Sequence, residues 1–252
     1  MPQFPLLTDA VAIALIVLAS AVLRGLTGFG FALTAVPLLS LVLEPVQAVA
    51  LTVLVQAAIG LRDLLTHKGE WDGAILARLG TRAVLGTPIG VLLLLWVDPA
   101  VARLAIAALI VAGLVLMLRS PTTAPKPPDP MLGVVVGAVS GVFGGFAAMP
   151  GPPVVAYLLN SDMPSARVRV SLIIFFFATS VLTVPGLVWG GAVTVHTVGM
   201  ALCLIPVTIG GTWVGHRLFL SLGDIGYRRI AIMVLTGTAI AASMRGLSGL
   251  LY

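Results

Sequence analysis

Residues able to do chemistry cluster in two glycine-rich stretches, Arg24–Pro37 (RGLTGFGFALTAVP) and Gly137–Pro153 (GAVSGVFGGFAAMPGPP). Thr27-Gly28 precedes Pro37 in the first as Ser140-Gly141 precedes Pro150 in the second. Backbone that turns inside a membrane must satisfy its freed amides against protein, water or solute, and glycine lets those amides approach a ligand closely. A helix that begins after such a turn points its N-terminal amides and the positive end of its dipole at an anion. The two stretches therefore read as halves of one anion site, built from the amides of Gly28, Gly30, Gly144 and Gly145 and the hydroxyls of Thr27 and Ser140, the latter next to Gly141. The competing reading is close helix packing at small-xxx-small spacing. Gly137/Gly141, Gly86/Gly90 and Gly211/Gly215 all fit that spacing, and for the last two pairs packing is the better account.

Arg24 lies between two uncharged runs, Ala10–Leu23 and Gly25–Leu43. An arginine inside a membrane is costly enough to be a functional hypothesis by default; it could draw in an anion or pair with a carboxylate. Equally, the first segment could end there and let the side chain snorkel to an interface. Thr52, Gln56 and Ser171 sit in otherwise apolar runs, where they could line a path, bond a neighbouring helix or bond back to their own. Pro37 and Pro150 are candidate hinges, and Pro88, Pro185 and Pro206 imply kinks. Glu44, Asp98, Asp162 and Asp224 all fall at predicted segment ends, so no carboxylate for proton coupling is visible and the driving force stays open.

Other chemistries lack their residues. The three histidines are isolated, no HExxH or Walker A pattern occurs, and GxSxG is absent around Ser140. The single Cys203 excludes a disulfide framework. No cofactor and no metal is expected.

These residues need a membrane to position them. The 252 residues are 59% hydrophobic and 9% charged, with a mean hydropathy of +1.14, against about 25% charge in soluble domains. The chain is an integral membrane protein, and at about 20 residues per crossing it holds at most about ten helices. Its formal charge of +5 reports topology, not nucleic-acid binding. Met1–Asp9 carries no Lys or Arg, so the first segment is expected to be retained, not cleaved.

Arg119–Pro130 (RSPTTAPKPPDP) is the one long polar, proline-dense stretch, and prolines at that density forbid a helix. It divides the chain into a first transmembrane repeat (1–118), a linker (119–130) and a second repeat (131–252). Pro45 and Thr52 match Pro164 and Ser171, Gly86 and Gly90 match Gly211 and Gly215, and Asp98 and Arg103 match Asp224 and Arg229, with a slowly growing offset. Hydrophobic segments are predicted at 9–24, 28–43, 46–65, 74–97 and 99–118, then at 131–144, 146–160, 166–188, 194–219 and 225–244. The first two of each half are short and meet at the glycine-rich junction, which points to the broken helices of a transporter. Arg62, Lys68, Arg78, Arg82, Arg119, Lys126, Arg167, Arg169, Arg217, Arg228 and Arg229 should all face the cytoplasm. That assignment inverts the halves, giving an all-α polytopic protein of two inverted repeats of about four to five helices each.

The junctions GLTGFGFALTAVPLL and SGVFGGFAAMP, the HKGEWD turn, the GTPIG and GGTWVG pairs and the internal repeat resemble the TauE/SafE family of membrane transporters, the sulfite exporters. The resemblance covers essentially the whole chain and implies a multi-pass bacterial plasma-membrane protein moving sulfite, sulfonates such as sulfoacetate, or other organic anions. The family pattern carries more glycine in the first junction, so Phe31 and Ala32 here narrow or reshape that half of the site. The expected function is a secondary transporter, an exporter working by alternating access at a midplane site. An anion channel, a non-transporting membrane subunit and an intramembrane enzyme are the alternatives. The expected partners are a small anionic solute and the lipid bilayer, with a homo-oligomer compatible.

Overall fold

The computed structural model describes residues 7–28, 30–67, 69–119 and 129–222. All its elements are helices: α1 (Leu7–Thr27), α2 (Phe31–Leu39), α3 (Pro45–Thr66), α4 (Gly73–Trp96), α5 (Pro99–Arg119), α6 (Pro130–Ala147), α7 (Gly151–Leu159), α8 (Ser165–Trp189) and α9 (Val195–Leu222). Among the described residues six helices, α1, α3, α4, α6, α8 and α9, are long and apolar enough to cross a membrane. The predicted segment 225–244 and Asp224 lie outside the described residues.

Helix boundaries follow local chemistry. Pro45 and Pro130 open α3 and α6 at the first turn, where a missing N–H costs no helical bond. Asp72 caps α4 by accepting from the Ile75 amide at 2.9 Å, and Asp129 caps α6 by accepting from Met131 at 2.8 Å. The Asp72 amide also donates to Ser171 Oγ at 3.1 Å, which ties the α3–α4 connection to α8.

The helices pair by exchange between the halves. α4 packs most extensively on α6, and α1 on α9. Both pairs are glycine-faced: a Cβ at Gly86, Gly90 or Gly145 would overlap a backbone carbonyl oxygen across the α4–α6 crossing, and one at Gly25 or Gly215 would do so across α1–α9. Contact order along each pair shows parallel running, with Gly86 and Gly90 against Ala138 and Val142, and Gly211 and Gly215 against Leu18 and Val22. Helices α3 and α8 cross antiparallel, Gln56 meeting Ser180 and Gly60 meeting Phe177. Since α1 ends beside the end of α3, α1 and α6 run in opposite directions, as an inverted repeat requires.

Buried side chains form two apolar clusters. One joins every helix from α2 to α8, through Val36, Val53, Leu94, Ile110, Phe146, Val154 and Phe175; the other joins α1, α2, α3 and α9 through Ile13, Phe31, Leu51, Ile59 and Leu204. Leucines such as Leu15, Leu61, Leu85 and Leu202 point outward, as they must where the solvent is lipid. Trp96 and Trp189, 80% and 76% exposed, end the parallel helices α4 and α8 at the rim opposite Arg78, Arg82 and Arg167, where interfacial tryptophans belong.

Candidate functional site

Each glycine-rich stretch is a break between a membrane-length helix and a short one. After α1 the chain passes through Gly28 at φ +78° and Gly30 at φ +96°, a left-handed conformation that strains any residue with a Cβ. At Gly28 the space is also taken, since a Cβ would overlap Cγ of Arg169. After α6 the break is made by Ala148 in the left-handed region at φ 55°, whose amide donates to Gly144 O. Pro150, Pro152 and Pro153 follow.

The short helices dip partway. The C-terminal end of α2 lies near the rim formed by Ser40, Glu44 and Arg103, where Arg103 Nε donates to Ser40 O at 3.2 Å. Nine residues extend only about 14 Å, whereas the 22 residues of α3 extend about 33 Å. The N-terminus of α2 therefore stops inside the bundle. The start of α7 meets it there: a Cβ on Gly151 would lie 4.0 Å from Leu33 Cδ1 and 3.3 Å from Phe176 Cζ.

The two ends are chemically unequal. At α2 the N-cap Gly30 is followed by Phe31, Ala32 and Leu33, whose amides lack intrahelical partners by position. At α7 the N-cap and the next three positions are Pro150, Gly151, Pro152 and Pro153, so Gly151 alone carries an N–H. One mouth offers a row of donors and the other presents pyrrolidine rings.

Polar side chains accompany this meeting point. Gln56 Oε1 accepts from Ser180 Oγ at 3.0 Å, bridging α3 to α8. Thr52 is one turn from Gln56 on α3, and Thr34 is in the first turns of α2; both hydroxyls are buried with no hydrogen-bond partner. Thr179 lies beside the junction, its Cβ 3.5 Å from where a Gly144 Cβ would be.

One turn before the first break, Arg24 is inside the protein and does not snorkel. It is 5% exposed, and its Nη2 donates to Asp63 Oδ2 of α3 at 2.6 Å. Its Nη1 is buried with no partner. Asp63 corrects the expectation that no carboxylate lies within the membrane segments: it is in α3, 5% exposed. Arg169 also departs from its expected place on a cytoplasmic loop. It is in the second turn of α8, buried, with Nη2 donating to Gly25 O at 2.6 Å and its guanidinium 4.8 Å above the Phe219 ring. Arg167, two residues earlier, is exposed.

The other candidates take these places. Thr27 Oγ1 donates to Leu23 O at 2.8 Å, and Ser140 Oγ is buried with no partner. Gly141 and Gly145 lie against the α4 backbone at Ala83 and Thr87, whereas Gly144 faces Pro150 and Thr179. Pro37 is inside α2 and Pro150 at the N-cap of α7. Ser171 bonds the Asp72 amide and not its own helix.

Charge-counting misplaced Arg169 and passed over Asp63. The signal for Asp63 was its period: Thr52, Gln56, Ile59 and Asp63 recur at helical spacing, so the stripe that buries Ile59 also buries Asp63. Arg169 had no such signal, because only the position of α1 reveals what covers it.

The sulfite exporter TauE/SafE family model matches residues 12–242. The chain belongs to that family. It is therefore a multi-pass membrane transporter. A relative from Cupriavidus necator, described as a probable sulfite/organosulfonate exporter TauE, is 27% identical over 234 residues, covering 88% of this chain and 89% of that protein. No solved structure matches the transporter.

Proposed function

We propose that this transporter exports a small sulfur-oxo or sulfonate anion across the bacterial plasma membrane, working as a carrier about a site between the starts of α2 and α7. The observation that carries the reading is the interrupted α2, whose amide-bearing N-terminus stops inside the bundle near a buried arginine. Amides and helix dipole there favour an anion with no counter-ion in the lipid phase. The description of the Cupriavidus relative supports the sulfite and sulfonate class. The division into repeats 1–118 and 131–252, joined by the linker 119–130, agrees with the reciprocal pairing of α1 with α9 and α4 with α6. A rocking motion of one repeat against the other would expose the site to each side in turn.

The test is a thermal-shift screen of purified protein against sulfite, sulfate, sulfonates, short carboxylates and phosphate, followed by flux in proteoliposomes. A ligand of the folded state raises its stability, so sulfite or a sulfonate should raise the melting temperature, and a trans excess of it should accelerate counterflow. Flux without counterflow would mean a channel. Normal transport by correctly folded Arg24→Gln and Gly144→Leu would sink the proposed site.

A further inference from the structure

The Arg24–Asp63 pair has a property that a purely structural ion pair does not need. A guanidinium offers a planar fork of donors suited to two oxygens of a carboxylate or oxyanion, yet Asp63 takes one bond from Nη2 while Nη1 is buried and unpartnered. The arginine is thus half-committed, one helical turn from the break that opens toward α2. An entering oxyanion would find one charged donor free and the second held by a carboxylate.

We propose that Asp63 is the proton-coupling residue of this transporter: solute anion and Asp63 carboxylate compete for the Arg24 guanidinium, and the displaced carboxylate takes up a proton. The inference rests on the anion-transport reading and deepens it. Its physical basis is charge balance in a poorly solvated place. Arg169, the other buried cation at this end, has its Nη2 on Gly25 O, so a carboxylate displaced from Arg24 loses its hydrogen-bonded cation in a poorly solvated place, which favours its neutral form. The balance is simple: one proton moves from water to a carboxylate oxygen of Asp63, and no covalent bond of the solute changes.

Two other carboxylates, Glu70 and Asp72, lie on the connection that leaves this end of α3; both are more exposed than Asp63, and Asp72 caps α4 by accepting from the Ile75 amide. Facing this end of α3 are Arg24 from α1, Arg169 from α8 and His216 from α9, with Arg62 and His67 on α3 itself; α2 carries no charged residue, and the Arg103 of α5 is engaged at the other rim. Among the described residues Asp63 is the buried carboxylate, all other Asp and Glu side chains being partly or fully exposed.

The test uses purified full-length protein and methanesulfonate, a sulfonate that carries its charge at every working pH. Wild type should take up about one proton per anion bound, and over the pH range in which it does so its affinity should fall about tenfold per pH unit as pH rises, because coupling between two ligands is reciprocal. The infrared band of a protonated carboxyl should appear when the anion is added. Asp63→Asn should bind the anion more tightly, take up no proton and show a flat pH profile. Anion binding to wild type without proton uptake or a new carboxyl band would overturn the coupling while leaving the anion site standing, and this holds even if the variant does not fold. Undiminished proton uptake in Asp63→Asn, or its failure to bind when folded, would overturn the assignment to Asp63. If wild type bound no anion of the panel, the transport reading itself would fall, and this inference with it.

Discussion

At the scale of single residues, the energetics of the buried pair are lopsided. Removing one partner of a buried ion pair leaves an uncompensated charge and costs about 3–5 kcal/mol. Asp63→Asn should therefore lower stability by about that amount in chemical denaturation, and Arg24→Gln/Asp63→Asn, which removes both charges, should recover most of it. Added sulfonate should raise the melting temperature of the single variant more than that of wild type, since it supplies the missing anion to Arg24. Recovery failing in the double variant would show that the pair matters through packing and not charge. Gly28 makes a second residue-scale case. An alanine there must hold φ near +78° and displace the Arg169 side chain, so Gly28→Ala should destabilise by about 1–3 kcal/mol. Arg24 was legible from the sequence because its neighbours are uncharged. Its partner was not, because Asp63 sits among Arg62, His67 and Lys68 and looks like the edge of a loop until the helix is phased.

Helices in this protein associate through small residues because lipid offers no hydrophobic drive for their packing. Gly86, Gly90, Gly141 and Gly145 bring the α4 and α6 backbones into direct contact, so Gly145→Val, aimed at the Thr87 carbonyl, must part the helices. Overpacking of that kind costs about 1–3 kcal/mol, read as a lowered melting temperature in detergent. Gly199→Ala on α9 is the control: nothing lies within 4 Å of its would-be Cβ, and it should leave stability unchanged or raise it by up to about 1 kcal/mol. The spacing in the sequence marked the Gly86/Gly90 and Gly211/Gly215 pairs for packing. It could not separate Gly141 and Gly145, which face α4, from Gly144, which faces the junction, because neighbours in sequence differ by a third of a turn in direction and only the partner helix fixes which face is covered. Predicted helix ends held to within a few residues wherever a proline or an aspartate marks the boundary, as at Pro45, Asp72 and Pro130. They moved most at the breaks, where 28–43 and 146–160 contracted to Phe31–Leu39 and Gly151–Leu159.

For the whole molecule, the exchange of partners has a consequence for folding. Helix α1 has its main neighbour in α9 and α4 has its main neighbour in α6, so neither half completes its own glycine-faced contacts. Fragments 1–118 and 131–252 expressed separately should be degraded or aggregate, and co-expressed they should co-purify and carry flux; a stable, monomeric single fragment would contradict this. The covalent linker then matters chiefly by raising the effective concentration of one half near the other.

The prolines at the start of α7 bear on what the transporter can tell apart. In the proposed site, a solute between the two short helices would meet amide donors on the α2 side and saturated ring carbons on the α7 side, a head and a tail. An organosulfonate would match it by turning its oxygens toward the amides of Phe31, Ala32 and Leu33 and its hydrocarbon toward Pro152 and Pro153, whereas sulfate would have to leave some of its four equivalent oxygens dehydrated against those rings. Discrimination between the two would then come from unequal lost hydration at one wall, not from any contact unique to the preferred solute. Such a site would admit its cargo in a single orientation, and the hydrocarbon end could vary in bulk so long as the oxygen end is kept.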